Sequence, residues 1–154
     1  VELEARYHVS DQFSLVSVYD HSRAEINKTI EDKSLYKGDA LPGVARDRIN
    51  LAIEFSQPLQ HALLEAKITY QYTGSRNTAF NDEYYTYREL PSYQTVDAQI
   101  GISFDQWNLM LFVNNLTDTY AVTGARSNYW YREQGQFDYI IRPRTLGLRA
   151  SVTF

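Results

Sequence analysis

Five stretches of this chain alternate apolar and polar residues with a period of two, and none shows an apolar stripe at helical spacing. Such a period places successive side chains on opposite faces of an extended strand, so each stretch has one greasy side and one polar side. In residues 1–9, Val1, Leu3, Ala5, Tyr7 and Val9 oppose Glu2, Glu4, Arg6 and His8. In 48–56, Ile49, Leu51, Ile53 and Phe55 oppose Arg48, Asn50, Glu54 and Ser56, with Ala52 as one small intruder. In 64–73, Leu64, Ala66, Ile68, Tyr70 and Tyr72 oppose Glu65, Lys67, Thr69, Gln71 and Thr73. In 95–104, Val96, Ala98, Ile100, Ile102 and Phe104 oppose Thr95, Asp97, Gln99, Gly101 and Ser103. In 144–154, Leu146, Leu148, Ala150, Val152 and Phe154 oppose Thr145, Gly147, Arg149, Ser151 and Thr153. Two further stretches, 13–25 and 107–116, are blurred by Val16 and Val18 and by Met110 and Phe112, which suits strands buried on both faces. β-branched and aromatic residues fill these positions. The reading is all-β, with seven antiparallel strands.

The connections alternate in length. Residues 10–12, 57–61 and 105–106 are short turns, whereas 26–47, 74–92 and 117–143 are long. Tight turns at one end and extended loops at the other are the pattern of an up-and-down transmembrane β-barrel. Loops this long without structure of their own argue against a compact soluble domain. The same alternation would suit a soluble β-sandwich binding module, so the identity of the solvent on the apolar face decides the fold. The polar faces carry Glu4, Arg6, Glu54, Lys67, Asp97 and Arg149 in mid-strand, and the clean apolar faces carry no charge. An Arg or Lys on a lipid-facing midplane position costs about 2–4 kcal/mol, so a bilayer would demand such a charge-free face. Tyr7, Tyr70, Tyr72, Tyr93, Phe104, Trp107 and Phe154 gather towards strand ends, where aromatic girdles belong.

Composition narrows the function classes. At 154 residues the chain is one domain at most. Its net charge of −4, with no basic tract, argues against a nucleic-acid partner held by phosphate contacts. The absence of cysteine removes disulfide scaffolds, thiolate metal sites and cysteine nucleophiles. The longest stretch free of Asp, Glu, Lys and Arg is the twelve residues from Gln106 to Thr117, short of the roughly 20 that a spanning helix needs. The first residues carry no secretory signal and no initiator Met and read as the middle of a strand, so the chain is expected to be a piece of a longer protein.

Two motifs make the reading more specific. Asn114-Asn115-Leu116-Thr117-Asp118-Thr119-Tyr120, followed after a long loop by Pro143-Arg144-Thr145-Leu146-Gly147-Leu148-Arg149-Ala150-Ser151-Val152-Thr153-Phe154, resembles the end of a TonB-dependent outer-membrane receptor. Val1-Glu2-Leu3-Glu4-Ala5, Gly38-Asp39-Ala40-Leu41-Pro42-Gly43-Val44-Ala45-Arg46 and Tyr70-Gln71-Tyr72-Thr73-Gly74 are similar to the preceding strands and loop of that family. The resemblance implies a bacterial outer-membrane barrel of about 22 strands around a plug, of which this chain supplies about the last seven as a single C-terminal barrel segment, 1–154, with the plug and earlier strands absent. It implies active uptake of a scarce ligand such as an iron–siderophore complex, with no enzymatic step and no cofactor. The implied partners are outer-membrane lipid, the rest of the barrel and plug, the TonB energy-coupling complex through the plug, and the barrel-assembly machinery. Gly147, Leu148, Ala150, Val152 and Phe154 fall on the assembly signal of the family's terminal strand. The family's orientation makes 26–47, 74–92 and 117–143 extracellular. A passive porin or structural barrel is the alternative within the membrane.

Catalytic and metal chemistry find little support. His8, His21 and His61 are scattered singly, no Gly-x-Ser-x-Gly elbow occurs, and acidic pairs such as Asp82-Glu83 and Glu31-Asp32 lie in loops, where solvation is their ordinary role. The richest candidate ligand surface is aromatic and basic: Arg76, Tyr84, Tyr85, Tyr87 and Arg88 in one loop, and Arg126, Tyr129, Trp130, Tyr131 and Arg132 in the last. Rigid rings give contact area at low entropic cost and Arg bonds anionic groups in pairs, which suits a ferric siderophore or a sugar-like ligand. Packing between loops and an interfacial girdle would use the same residue types.

Overall fold

The computed structural model describes residues 1–84, 86–127 and 136–153. Its strands are β1 (Glu2–His8), β2 (Phe13–His21), β3 (Asp47–Leu59), β4 (Ala62–Thr73), β5 (Arg76–Asn77), β6 (Glu89–Leu90), β7 (Tyr93–Phe104), β8 (Trp107–Asn114), β9 (Val122–Ser127), β10 (Gln136–Ile140) and β11 (Thr145–Val152). One 3-10 turn spans Glu31–Lys33. Seven strands form a single antiparallel sheet in the order β1-β2-β3-β4-β7-β8-β11, with β1 and β11 at opposite ends and the sheet open. The strands follow one another in sequence, as in an up-and-down barrel wall. β5 pairs with β6 and β9 with β10 as small hairpins inside the second and third long loops.

The register sorts the sheet into two faces, because residues directly opposite one another share a side. One row reads Tyr7, Leu15, Ile53, Ile68, Ala98, Val113 and Leu146 across all seven strands. A row of the other face reads His8, Ser14, Glu54, Lys67, Gln99, Phe112 and Gly147. On this polar face Arg6 Nη1 reaches over β2 to Glu54 Oε2 at 2.6 Å, and Lys67 Nζ meets Glu54 Oε1 at 2.9 Å. Two cations on one carboxylate cross-link three strands where water is accessible.

The apolar face is not a core. Leu51 is 44% exposed, Ile68 51%, Ile100 48% and Leu148 68%, and among the described residues no second layer stands over them. Among the described residues, the buried apolar ones are Ala45, Ala52, Ala79 and Leu90, and three of these four lie at or beyond the strand ends, among the loops. A soluble sandwich buries its Leu, Ile and Phe first; this sheet leaves them outside. A β-sandwich is thereby excluded for the described residues.

The blurred segments are strands with apolar residues on both faces. Val16 and Val18 of β2, and Met110 and Phe112 of β8, stand on the otherwise polar side and are only partly covered, so burial on both faces does not occur. Phe112 lies across Gly147, where an added Cβ would come within 2.6 Å of its Cε1. The Arg149 guanidinium sits 6.0 Å from the same ring. Gly147 therefore makes room for an aromatic neighbour. Gly147→Val is expected to displace the Phe112 ring and destabilise the barrel by about 1–3 kcal/mol, and a Phe112→Ala background should remove most of that loss in urea denaturation.

Several boundaries differ from the sequence reading. β2 stops at His21 and leaves the sheet, with Glu25 bridging to Ala40 instead. β3 runs on through Pro58 to Leu59, so the turn 57–61 shrinks to Gln60-His61. Ser56 N–H donates to Gln12 O, and alternation aims the Pro58 nitrogen to the same side, beyond Phe13, where β2 begins. A missing N–H costs nothing there. Asp105, at φ 46°, makes the two-residue turn between β7 and β8.

The Asn115–Tyr120 segment is a clasp. Asn115, 4% exposed and at φ 51°, donates from its backbone N to Asp97 Oδ1 and from Nδ2 to the carbonyls of Thr119 and Arg142, and its Oδ1 accepts from Thr119 N. Asp118 accepts from Arg144 N at 2.9 Å. These bonds fix where the last strand re-enters the sheet.

Candidate functional site

The three long connections gather at one end of the sheet and are tied together. Between the first and second, Tyr36 Oη donates to Glu83 Oε1 at 2.8 Å, Asn81 Nδ2 donates to Ser34 O and to Asp39, Tyr84 Oη donates to Lys33 O at 2.6 Å, and Gly43 N donates to Asn77 O at 2.8 Å. The bond to Glu83 holds the Tyr36 hydroxyl pKa above its usual value. Between the second and third, Arg76 Nη2 donates to Val122 O at 2.8 Å and Arg88 Nη2 meets Asp138 Oδ1 at 2.7 Å. The loops form one hydrogen-bonded cap.

This placement bears directly on the candidate ligand residues. Arg76 is 6% exposed, with its guanidinium 5.1 Å from the Tyr93 ring and bonded to backbone carbonyls, which makes it a brace between loops. Tyr84 packs 6.0 Å from Phe80 and spends its hydroxyl on Lys33 O. Arg88 spends one nitrogen on Asp138, and its Nε is buried with no partner among the described residues. Tyr87 is half-buried, its backbone N bonded to Tyr84 O. Arg126 lies on β9 opposite Phe137. Tyr85, Tyr129, Trp130, Tyr131 and Arg132 lie outside the described residues, as does Phe154 of the terminal strand. Leu148, Ala150 and Val152 stand on the apolar face of β11 and Gly147 on the polar face.

A basic group in the first loop escaped the sequence reading. Glu25 Oε1 accepts from Arg23 Nε at 2.9 Å and from Arg46 Nη2 at 3.3 Å. Nothing in sequence spacing pairs residues 25 and 46; the Glu25–Ala40 bridge does so. The hydrogen bond from Arg23 chiefly, with Arg46 adding to it, holds the Glu25 carboxyl below its usual pKa. A lowered folded value means that this contact contributes fully above the unfolded carboxylate range and is lost as pH falls through the lowered value. The Glu25 carboxyl carbon is therefore expected, by NMR, to titrate at lower pH than an ordinary glutamate, and Arg23→Gln should move that titration back up towards the ordinary range. Among the described residues no His, Asp and Glu cluster has the makings of a metal site.

An open sheet with one water-ready face, one exposed apolar face and a cap of loops at one end is the wall of a transmembrane β-barrel. The model of the TonB dependent receptor-like, beta-barrel family matches residues 1–116, and the chain belongs to that family, whose members sit in the bacterial outer membrane. Solved structures extend the likeness to the last strand. The ferric yersiniabactin uptake receptor of Yersinia pestis is 21% identical with a TM-score of 0.78, over 99% of this chain and 23% of that one. The ferric-catecholate import receptor of E. coli K12 is 20% identical with a TM-score of 0.70, over 99% and 20%. The siderophore receptor of Acinetobacter baumannii is 18% identical with a TM-score of 0.64, over 97% and 20%. The chain thus spans less than a quarter of each of these structures, and at such identities they bear on the fold. No curated protein sequence matches it.

Proposed function

We propose that this chain is the C-terminal part of the barrel of an outer-membrane active transporter that takes up a scarce chelate such as an iron–siderophore complex. In this reading it supplies barrel wall, extracellular loops and a terminal assembly signal, while the plug, the remaining strands and the contact with the TonB complex belong to the rest of the receptor. The observation that carries the reading is the pairing of a charge-lined face with a lipid-ready face in a chain of this family. The uptake, import and siderophore roles named for the three structural neighbours point the same way. Ligand contact falls to the loop cap. Arg76, Tyr84 and Arg88 act there chiefly by holding its shape, since their polar groups are engaged, and Tyr87 with the 126–132 stretch supplies the aromatic and basic surface.

The open sheet leaves β1 and β11 without a second neighbour, and barrel diameter grows with strand number, so seven strands alone make no receptor-sized pore. Uptake of labelled ferric siderophores by iron-starved cells expressing the intact receptor is expected to be saturable and lost when the TonB complex is deleted. Uptake that survives the deletion would favour a passive pore. Liposomes carrying the 154-residue chain alone are expected to show no specific uptake.

A further inference from the structure

The third long loop departs after β8 and returns before β11, and one side chain ties its two feet together: Asn115 bonds Thr119 on the way out and Arg142 on the way back. What holds Asn115 itself lies on the opposite strand. The regular β7–β8 ladder ends at the Ala98–Val113 pair, and the next backbone bond runs from Leu116 N to Val96 O at 2.7 Å. Between them the Asn115 N–H, in a buried residue with left-handed backbone, donates at 2.8 Å to Asp97 Oδ1. A side-chain carboxylate takes the place of a ladder carbonyl.

Asp97 stands opposite Thr69 and shares the polar, lumen-side face with Lys67 and Gln99. Its Oδ2 accepts from Gln71 Nε2 at 2.9 Å, and among the described residues no Lys, Arg or His comes within ion-pairing distance of it. Glu54 on the same face, by contrast, meets two cations. Asp97 therefore spends its charge on neutral donors alone and keeps lone pairs to spare on both oxygens. A hydrogen bond to a charged acceptor is roughly twice as strong as one to a neutral acceptor, so the grip on the Asn115 N–H depends on that charge. We propose that Asp97 is a positioning residue for the third loop, and that neutralising its charge from the lumen side loosens both feet of the loop at once. The link joins the wall along which a cargo would pass to the loop above it. The inference rests on the lumen placement used in the proposed function and needs no particular cargo.

The test uses the intact receptor in mild detergent, with spin labels on cysteines placed at the exposed Lys28 of the first loop and Phe137 of the third, and reads the ratio of displaced to parent-like distances by pulsed electron resonance. Asp97→Ala orphans a buried N–H and is expected to raise that ratio by about tenfold, which is about 1.4 kcal/mol. Asp97→Asn keeps a neutral acceptor and should raise it by about threefold. Thr69→Lys brings an ammonium against Asp97 across the ladder and should also raise it by about threefold, whereas Thr69→Met, of similar reach and no charge, should leave it unchanged. Parent-like distances in the folded Asp97→Asn and Thr69→Lys receptors overturn the proposal, as does an equal response to Thr69→Met. A lowered urea midpoint with unaltered distances in the folded state would mark a merely structural residue and overturn it too. Should Asp97→Ala fail to fold, as judged by heat-modifiable mobility, the other two charge-altering variants decide. No cargo enters the distance measurement, so its failure defeats the anchor alone, and uptake that survives loss of the TonB complex defeats the transporter alone.

Discussion

Ile100→Arg is expected to lower the folded-to-unfolded equilibrium constant of the intact receptor in phospholipid vesicles by roughly 30-fold or more, whereas Gln99→Arg leaves assembly nearly unchanged. The two residues are neighbours in β7 and differ in which side they face. Ile100 stands between Ala66 and Leu111 on the apolar face, 48% exposed, with none of the described residues above it. Arginine at such a midplane position costs about 2–4 kcal/mol, and 2 kcal/mol corresponds to the stated ratio. Gln99 lies between Lys67 and Phe112 on the charged face. A guanidinium there meets water and polar side chains, at a cost of about 0.2–1 kcal/mol for standing opposite Lys67. The folded fraction is read from heat-modifiable mobility across a urea series. Equal tolerance at both positions would reverse the assignment of faces.

Asn115→Ala is expected to destabilise the barrel by about 3 kcal/mol and to open the stretch between Asn115 and Arg144 to proteases. The side chain makes three bonds, to Thr119 N, Thr119 O and Arg142 O, in a site that is 4% exposed. Each is worth about 0.5–1.5 kcal/mol, and the buried partners left behind add to the loss. Alanine also strains the left-handed backbone at φ 51° by about 1–2 kcal/mol. Asn115→Gly relieves the strain but not the lost bonds and should fall between parent and alanine in urea midpoint. If glycine matches the parent, the clasp is backbone geometry alone.

The strands and their faces were legible because a bilayer and an aqueous lumen make opposite demands on every second residue, and that conflict writes itself into the sequence with period two. Leu51, Ile68 and Leu148 could thus be assigned a face before any coordinates. Val16, Val18, Met110 and Phe112 blurred the pattern because the lumen side tolerates apolar residues where the lipid side tolerates no charge. Pro58 reads as a turn residue, since only the start of β2 at Phe13, opposite Phe55, reveals that its nitrogen needs no partner. The loops were the least legible. Arginine and tyrosine serve equally to grip a ligand and to brace one loop against another, and no sequence spacing shows that Arg76 Nη2 meets Val122 O. The Arg23–Glu25–Arg46 group depended on a bridge between residues fifteen apart, Glu25 and Ala40, for which no periodicity exists.

The most direct test of the central claim uses single cysteines, which this chain lacks, placed at Leu51, Ile68, Ile100 and Leu148 and, for comparison, at Lys67 and Gln99 of the intact receptor in a bilayer. Fluorescent labels at the first four positions should be quenched by lipid-borne nitroxides and spared by aqueous iodide, with the reverse at the other two. Iodide quenching at the first four, or protection there from both quenchers, would mean that water or protein covers that face, and the account would be wrong.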